Sequence, residues 1–596
     1  MEYLQSIAVL LIALVLYKVY RLWCYIRAAK KTGFTYVVVP LLETEVAAQL
    51  ATLILRKLYV DQLDAGNGWP KWCRFMIKDW SWEDKRSAHD QYGDVFLVVS
   101  PAGIICYVAD ADVAWDVLNR RHDFTKPRDK YKILEPYGPN VATAEGSTYR
   151  FHLRITAPPF SDGSGANELV WQETARQTEL LADKWEHEPP ESFDDAINAL
   201  TLAVISFAGF GKKIVTGQGQ TRDIPTGYQI SFLQALSDVT KFMLQILVFP
   251  SWFLSLTPYA SAGLAKTQLE QYMKEMIRRE KAHIETGKVT QTGPRGNLLQ
   301  SVMLASHSNS QSATNGKDDS LGRAFNESEV MGNLFIYLLA GYETTANAIA
   351  YGLITLALRP DIQARVAAEI DQVYEQAAAE GREELDYSSD FSKLEYTYGF
   401  MYETFRLYPG VTLITKMCKT PQDLRVFDEV TKQMRTATLP AECRVYLSAP
   451  AVHYHPKYWP EPEELEPSRW MHKEWTKNQN ASSTAKGSSK HVVAADKTRQ
   501  MRGTLLTFSD GSRACLGRKF AQAEFIAFLA VLLRRFEICF PPDVDVEQAR
   551  RDLNFKSAGM VTLAPIDGFR MAVRKRISGS SNGRPDGAGG VSLRTR

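Results

Sequence analysis

The segment Phe508-Ser-Asp-Gly511-Ser-Arg513-Ala-Cys515-Leu-Gly517 constrains this chain more than any other, because it places one thiol directly ahead of a helical-looking run from Arg518 to Phe536. A cysteine near a helix N-terminus sits in the positive end of the helix dipole, which favours thiolate over thiol. Arg513 adds a positive charge two residues away. Gly511 and Gly517 remove side-chain bulk and let the backbone approach a flat partner, and Phe508 is placed to pack beside it. These are the requirements of an axial metal ligand. The chain has seven cysteines, at 24, 73, 106, 418, 443, 515 and 539, and none forms a C-x-x-C pair or a His/Cys zinc spacing. The other six read as small buried hydrophobes.

The scaffold around this loop is large and membrane-attached. Length suggests more than a small core, and the net charge of +2 gives no reason to expect nucleic acid. Unpaired cysteines fit a reducing compartment. Residues Leu4 to Tyr17, LQSIAVLLIALVLY, are almost wholly apolar. A helix from Leu4 to Trp23 rises roughly 30 Å, enough for a bilayer core. Tyr17, Tyr20, Trp23 and Tyr25 stand where an aromatic belt belongs. Arg21, Arg27, Lys30 and Lys31 follow the apolar run and only Glu2 precedes it. The positive-inside rule then predicts a lumenal N-terminus and a cytosolic remainder. A cleaved signal peptide wants a basic leader and a small-residue cleavage site, and neither is evident. The acceptor patterns Asn326-Glu-Ser328 and Asn480-Ala-Ser482 are therefore expected to carry no sugar.

Beyond the anchor, residues 32–63 are either an interfacial helix or a helix packed on the domain. Strands are predicted near Asp94–Val99 and Ile104–Val108, around the turn signal Pro101-Ala-Gly103. Helical periodicity dominates afterwards. Loops are expected over Ser306–Asp319 and Asn478–Thr498, and a disordered tail from Ser578. Asn326 to Pro360 reads as one helix of about nine turns, with Asn326, Glu327 and Glu329 as its start. Inside it, Ala340-Gly341-Tyr342-Glu343-Thr344-Thr345 is costly locally. A mid-helix glycine loses about 1 kcal/mol against alanine, and a threonine hydroxyl can bond back to the i−4 carbonyl and bend the helix. Glu403-Thr-Phe-Arg406 places opposite charges on one helical face, and Leu407-Tyr-Pro-Gly410 ends that helix.

Together these segments resemble the cytochrome P450 family over residues 90 to 575, in the family's chain order. The cysteine loop fills every fixed position of F-x-x-G-x-R-x-C-x-G, and the 340–345 run resembles the family's kinked distal helix. Pro467-Ser-Arg469-Trp470 resembles its P-x-R-F element, with Trp470 in place of Phe. The resemblance implies a mainly α, triangular-prism fold with small β-sheets and one N-terminal transmembrane helix. It implies haem b, with Cys515 as the iron's thiolate ligand, whose electron density favours O–O cleavage. It implies Glu343 and Thr344 as the acid–alcohol pair that manages protons beside Ala340 and Gly341, and a buried charge triad of Glu403, Arg406 and Arg469. Arg513 is expected on a haem propionate, with Lys416 where the family usually has Arg or His. The family's G-x-x-W-x-x-x-R appears here as Gly146-Ser-Thr-Tyr149 with Leu153 at the Arg position, so Tyr149, His152 or Arg154 takes that contact.

The expected organisation is an anchor and basic flank at 1–31, a membrane-proximal segment at 32–89, a haem domain at 90–577 and a tail at 578–596. The expected activity is insertion of one oxygen atom from O2 into a lipophilic small molecule of secondary metabolism, in an endoplasmic reticulum membrane of fungal type. No G-x-G-x-x-G follows a strand, so NADPH-derived electrons are expected from a separate NADPH-cytochrome P450 reductase, guided by a basic surface near Arg513, Arg518 and Lys519. A haem-thiolate isomerase or dehydratase, and a haem-binding sensor, are the other two classes such a loop can serve. Pocket walls are expected from Phe335, Ile336 and Leu339, from Val411–Ile414, and from Met560 and Val561.

Overall fold

The computed structural model describes residues 2–161, 163–188, 190, 192–212, 224–286, 297–312, 323–428, 431–471, 502–557, 562–565 and 569–576. The expected loop at Asn478–Thr498, the tail from Ser578, Met560 and Val561 lie outside them, as does Asn480.

Helix α1, Glu2–Thr32, runs without a break through the residues expected to form an anchor and its basic flank. Its first two-thirds are exposed, from Ile7 to Tyr20, whereas Leu22, Tyr25, Ile26 and Ala29 pack on a sheet. The chain then enters that sheet as β1, Thr35–Val38, inside the membrane-proximal segment, and continues into helix α2, Val46–Leu58. β2, Val95–Ser100, and β3, Gly103–Val108, follow. Both are nearly continuous apolar runs with every residue after the first buried, the pattern of strands covered on both faces. β4, Phe124–Thr125, β5, Leu413–Cys418, and β8, Cys443–Ser448, complete a mixed sheet ordered β1-β2-β3-β8-β5-β4. A hairpin of β6, Gln422–Asp428, and β7, Gln433–Leu439, and the pair β9, Phe536–Cys539, and β10, Ala572–Lys575, stand apart from it.

The remainder is helical. Those that position the site are α3, Ala111–Asn119; α4, Gly146–Thr156; α5, Ala166–His187; α6, Phe193–Phe210; α7, Leu298–Ser312; α8, Glu327–Leu358; α9, Pro360–Ala379; α10, Glu395–Leu407; and α11, Arg518–Arg535. The 32-residue α8 starts with a capping box: Asn326 accepts from the Glu329 N–H at 2.9 Å and Glu329 accepts from the Asn326 N–H at 2.9 Å. Arg323 adds two bonds to Glu329, at 2.5 and 2.6 Å. The side chain of Asn326, the first glycosylation pattern, is thus committed to the cap.

The expected loop at Ser306–Asp319 begins too early. Helix α7 extends to Ser312, and residues 313–322 are outside the described set. The buried turn of Leu298, Leu299, Val302 and Met303 nucleates α7, and propagation from a formed nucleus carries the polar residues that follow. The main core lies where α8 crosses α6 and where α11 packs on α5, and it contains most of the buried aromatic residues. A second core joins α1, α3 and the six-stranded sheet.

Candidate active site

The cysteine loop packs against α10 and runs into α11. It is tied down from both sides. Cys515 N–H donates to the Phe508 carbonyl at 2.8 Å, and Thr507 Oγ1 donates to the Phe405 carbonyl, also at 2.8 Å. His453 donates from Nδ1 to the Arg406 carbonyl at 2.9 Å and accepts the Leu506 N–H on Nε2 at 2.7 Å. That pairing requires a neutral ring, and burial brings its pKa down to about 3. Gly511 has φ +67°, and a Cβ there would stand 3.0 Å from Asn119 Oδ1 on α3. The tight turn and the close helix both select glycine.

So held, Cys515 is exposed, and its open side lines a cavity of about 260 Å³. Phe508, Arg513, Gly517 and Phe520 share that wall, and a side chain on Gly517 would meet no other residue. The facing wall is α8, through Ile336, Tyr337, Ala340, Gly341, Thr344 and Thr345. Val141, Ala142, Phe160 and Ile205 close it with apolar surface. Gly341 is where α8 meets α6: a Cβ would come within 2.9 Å of Ile205 Cδ1. The Thr344 hydroxyl donates to the Ala340 carbonyl at 2.6 Å.

A cluster of cations ends the cavity. Arg513 lies over the Tyr149 ring at 3.4 Å, pairs with Glu145 at 2.8 Å and donates to the Ala144 carbonyl at 2.8 Å. Tyr149 donates to the Ser512 carbonyl at 2.8 Å. Lys126 lines the cavity and donates to the Ala142 carbonyl. Burial and the Arg513 charge bring Lys126 down to about 7 and Lys416 down to about 8. Arg513 is lowered by burial, with Glu145 opposing. Two bases on the cavity wall, Arg513 and Lys126, and the buried Lys416 beside rather than on that wall stand near one carboxylate, Glu145, an excess of basic groups that suits a ligand carrying two carboxylates. A largely apolar cavity with a sulfur on its wall and this basic end fits haem.

Several expectations are redirected. Arg513 points to Tyr149 and Glu145, and the nearby charge that acts on Cys515 is Arg518. Burial raises the Cys515 thiol, while the Gly517 N–H and Arg518 pull it down. Tyr149 faces the cavity, but Arg154, five residues on and about 140° round the helix, is exposed and off it. His152 is buried against Asn333 and Glu329 instead. Of the expected apolar walls on α8 only Ile336 lines the cavity. Phe335 turns to Tyr137, with ring centroids 5.1 Å apart, and Leu339 is in the core. Residues 411–414 are off the cavity, which draws on Val141, Ala142 and Phe160 instead. Glu343 does not line it either; it accepts from Thr562 Oγ1 at 2.7 Å on another face of α8.

Sequence reading missed Lys126, Glu145 and Thr562. Lys126 follows the two-residue strand β4, which pairs with Met417 and Cys418 of β5 beside Lys416. A strand that short carries no periodicity. Glu145 precedes α4 directly, at its N-cap position, and was legible as an acid beside a helix start; Thr562 had no local signal.

The comparisons agree with this geometry. The family model for cytochrome P450 matches residues 69–562. Cytochrome P450 monooxygenase prx9 of Penicillium rubens is 51% identical over 571 residues, covering 95% of this chain and 96% of the relative. Cytochrome P450 monooxygenase ORF6 of Penicillium roqueforti gives the same identity and coverage. The crystal structure of the cytochrome P450DA heme domain superposes with a TM-score of 0.61 at 20% identity, covering 82% of this chain and 92% of that one. The chain belongs to the cytochrome P450 family. It is a haem-thiolate monooxygenase that takes haem b, O2 and a lipophilic substrate, and the isomerase and sensor alternatives give way.

Proposed function

We propose that Cys515 is the haem ligand, that Arg513, Lys126, Lys416 and Tyr149 receive the propionates, and that Thr344 with Glu343 manages protons. The observation that carries this reading is that Cys515 and Thr344 line one and the same cavity. Bound haem supplies the oxygen-activating iron chemistry, as RH + O2 + NADPH + H⁺ → ROH + NADP⁺ + H2O. The chain's own work is different. Phe508, Phe520 and Gly517 line the cavity beside Cys515. The apolar wall of Val141, Ala142, Phe160, Ile205 and Ile336 excludes water and orients a lipophilic substrate. The Thr344 hydroxyl is held by its bond to Ala340 with its oxygen free to accept on the cavity side. Burial raises the Glu343 carboxyl above the ordinary carboxylate range, opposed by its hydrogen bonds with Thr562, a direction that suits a proton donor. Thr344→Ala should keep NADPH consumption while product falls roughly 10²-fold and hydrogen peroxide rises to balance. Unchanged product per NADPH in a reconstituted assay would refute the role.

The electron donor in this reading is a membrane-bound NADPH-cytochrome P450 reductase. A second, surface-opening cavity of about 330 Å³ is lined by Arg121, His122, Lys419 and Arg513 with Glu145. With Arg518 and Lys519 nearby in sequence, it offers a basic face to an acidic partner. The anchor reading is an endoplasmic reticulum membrane, single-pass, with residues 90–577 cytosolic. Among the described residues α1 is long and apolar enough to cross a bilayer, and its apolar window is wholly unburied. The other such helix, α6, is mostly buried core.

Helix α2 favours the interfacial alternative: Val46, Leu50, Leu53, Ile54 and Leu58 are exposed while Ala48 and Thr52 are buried. Trp252, Phe253 and Leu256 expose further apolar surface. Deleting residues 2–20 should leave a protein that still sediments with vesicles but is released by alkaline carbonate. Adding Leu50→Glu and Leu53→Glu should then free it. Full solubility after the deletion alone would remove α2 from the membrane contact.

A further inference from the structure

Three of the seven cysteines meet inside the six-stranded sheet. Cys418 ends β5 and Cys443 begins β8, and the two are register partners in the antiparallel ladder. Directly opposed residues point to the same face, with Cβ atoms about 4.5–5.5 Å apart. The Cα separation of such partners, about 4.5–5.5 Å, lies inside the roughly 4.4–6.8 Å that a disulfide spans. Cys418 Sγ donates to the Cys443 carbonyl at 3.5 Å and to the Pro440 carbonyl at 3.3 Å. Cys106 of β3, whose register partner is Val445, joins them in the second core. Among the described residues no group of three or more His, Cys, Asp or Glu is disposed to hold a metal, so the chemistry open to this cluster is that of thiols.

Two features single out Cys418 and Cys443. They are the last rung of their ladder: β5 stops at Cys418, and Lys419 and Thr420 beyond it are exposed. Ladder ends open locally at little cost, which lets a small neutral oxidant reach thiols that are otherwise buried. The hydrogen bond with Cys443 pulls the Cys418 thiol down, whereas burial pushes the Cys106 thiol up, and the thiolate is the form that reacts. The rung also adjoins the strands that carry the cation cluster. Lys416 lies two residues back on the same face of β5, and β4, paired with Met417 and Cys418, leads straight into Lys126.

We infer that Cys418 and Cys443 form a peroxide-sensitive disulfide pair whose closure loosens the hold of Lys416 and Lys126 on the haem propionates. The loosening rests on the reading of those lysines as propionate partners; the pairing of the thiols does not. Hydrogen peroxide, the by-product when oxygen activation is uncoupled from product, is the oxidant. It converts the Cys418 thiol to a sulfenic acid and leaves one water. The Cys443 sulfur then displaces a second water and forms the S–S bond. The two thiols give up two electrons and two protons, and the O–O bond of the peroxide breaks to give the two waters. A disulfide draws the Cβ atoms to about 3.5–4.5 Å, so the rung contracts by about 1 Å, and Lys416 and β4 move with it.

The test uses the haem-loaded full chain in detergent, oxidised with hydrogen peroxide or, to spare the haem, with diamide. After unfolding, alkylation and proteolysis, mass spectrometry should find the Cys418 and Cys443 peptides joined, and dithiothreitol should separate them. Haem transfer to apomyoglobin should be about tenfold faster from the oxidised protein than from the reduced one, the low end of the roughly 10–100-fold that disturbed outer-shell contacts cost. Cys418→Ala and Cys443→Ala should lose the link and transfer haem at the reduced rate under both conditions. If both thiols stay free at doses that oxidise Cys24 and Cys539, or if Cys106 replaces either one in the link, the pair is wrong. If the link forms and haem transfer does not change, the coupling to haem is wrong. If reduced Lys126→Gln and Lys416→Gln variants release haem no faster than the wild type, the propionate reading fails, while the mass measurement decides the disulfide independently.

Discussion

Cys515→Ser should give a folded protein without the carbon-monoxide spectrum of thiolate haem and with product formation reduced roughly 10⁴-fold or more, the scale of losing one indispensable group. The loop does not depend on the sulfur for its shape. The Cys515 N–H to Phe508 carbonyl bond, the left-handed Gly511 against Asn119 and the His453 bond to Leu506 are all independent of the side-chain atom replaced. Far-ultraviolet circular dichroism should therefore change little, since a substitution that faces a cavity and breaks no core packing, buried pair or helix cap falls within about 0.5 kcal/mol. What is lost is chemistry: a hydroxyl is a far weaker acid than a thiol and a hard, poor donor where a soft thiolate is needed. Retention of the thiolate spectrum together with turnover would mean that another group holds the iron.

Legibility of the site followed the range of the interactions. The cysteine loop and the helix over residues 326–360 were readable because their signals are local: two glycines and an arginine at fixed spacing, and a cap of Asn326 with Glu329. The long exposed helix α1 was readable from its apolar length. The cation cluster was only half readable. Arg513 and Lys416 were found, but Lys126 and Glu145 reach it from a two-residue strand and a helix start, brought together only by the pairing of β4 with β5 and by the approach of α4. The walls failed for a related reason. Phe335 and Leu339 are as apolar as Ile336, and only the rotation of α8 about its axis decides which of them faces the cavity. Thr562 lies more than two hundred residues from Glu343, and no period or motif links them.

The largest structural effect should come from Glu403. Arg406 and Glu403 are both fully buried, and all five Arg406 N–H groups are used. Nε and Nη2 bond the two Glu403 oxygens at 2.9 and 2.7 Å. The rest go to the carbonyls of His453 at 2.8 Å, Pro462 at 2.6 Å and Glu464 at 2.9 Å. Glu403 in turn accepts from Arg469 Nε at 3.1 Å, from the Glu466 N–H at 3.1 Å and from Trp470 Nε1 at 2.9 Å. The tryptophan that stands where the family has phenylalanine is therefore a fourth member of the cluster. Glu403→Gln keeps the shape but removes the charge, leaving two arginines to face a neutral amide. Breaking a buried pair in this way costs about 3–5 kcal/mol, against a total of about 5–15 kcal/mol for a native protein. Because Arg406 and His453 brace the segment that carries Leu506 and Thr507, the loss should reach the cysteine loop. We expect Glu403→Gln to express mainly as protein without haem and with a lowered melting temperature. Trp470→Phe, which removes one neutral donor, should cost only about 1–3 kcal/mol, the penalty for one lost bond to a charged group, and should retain haem. A Glu403→Gln enzyme with wild-type haem content and melting temperature would show that the cluster does not support the site.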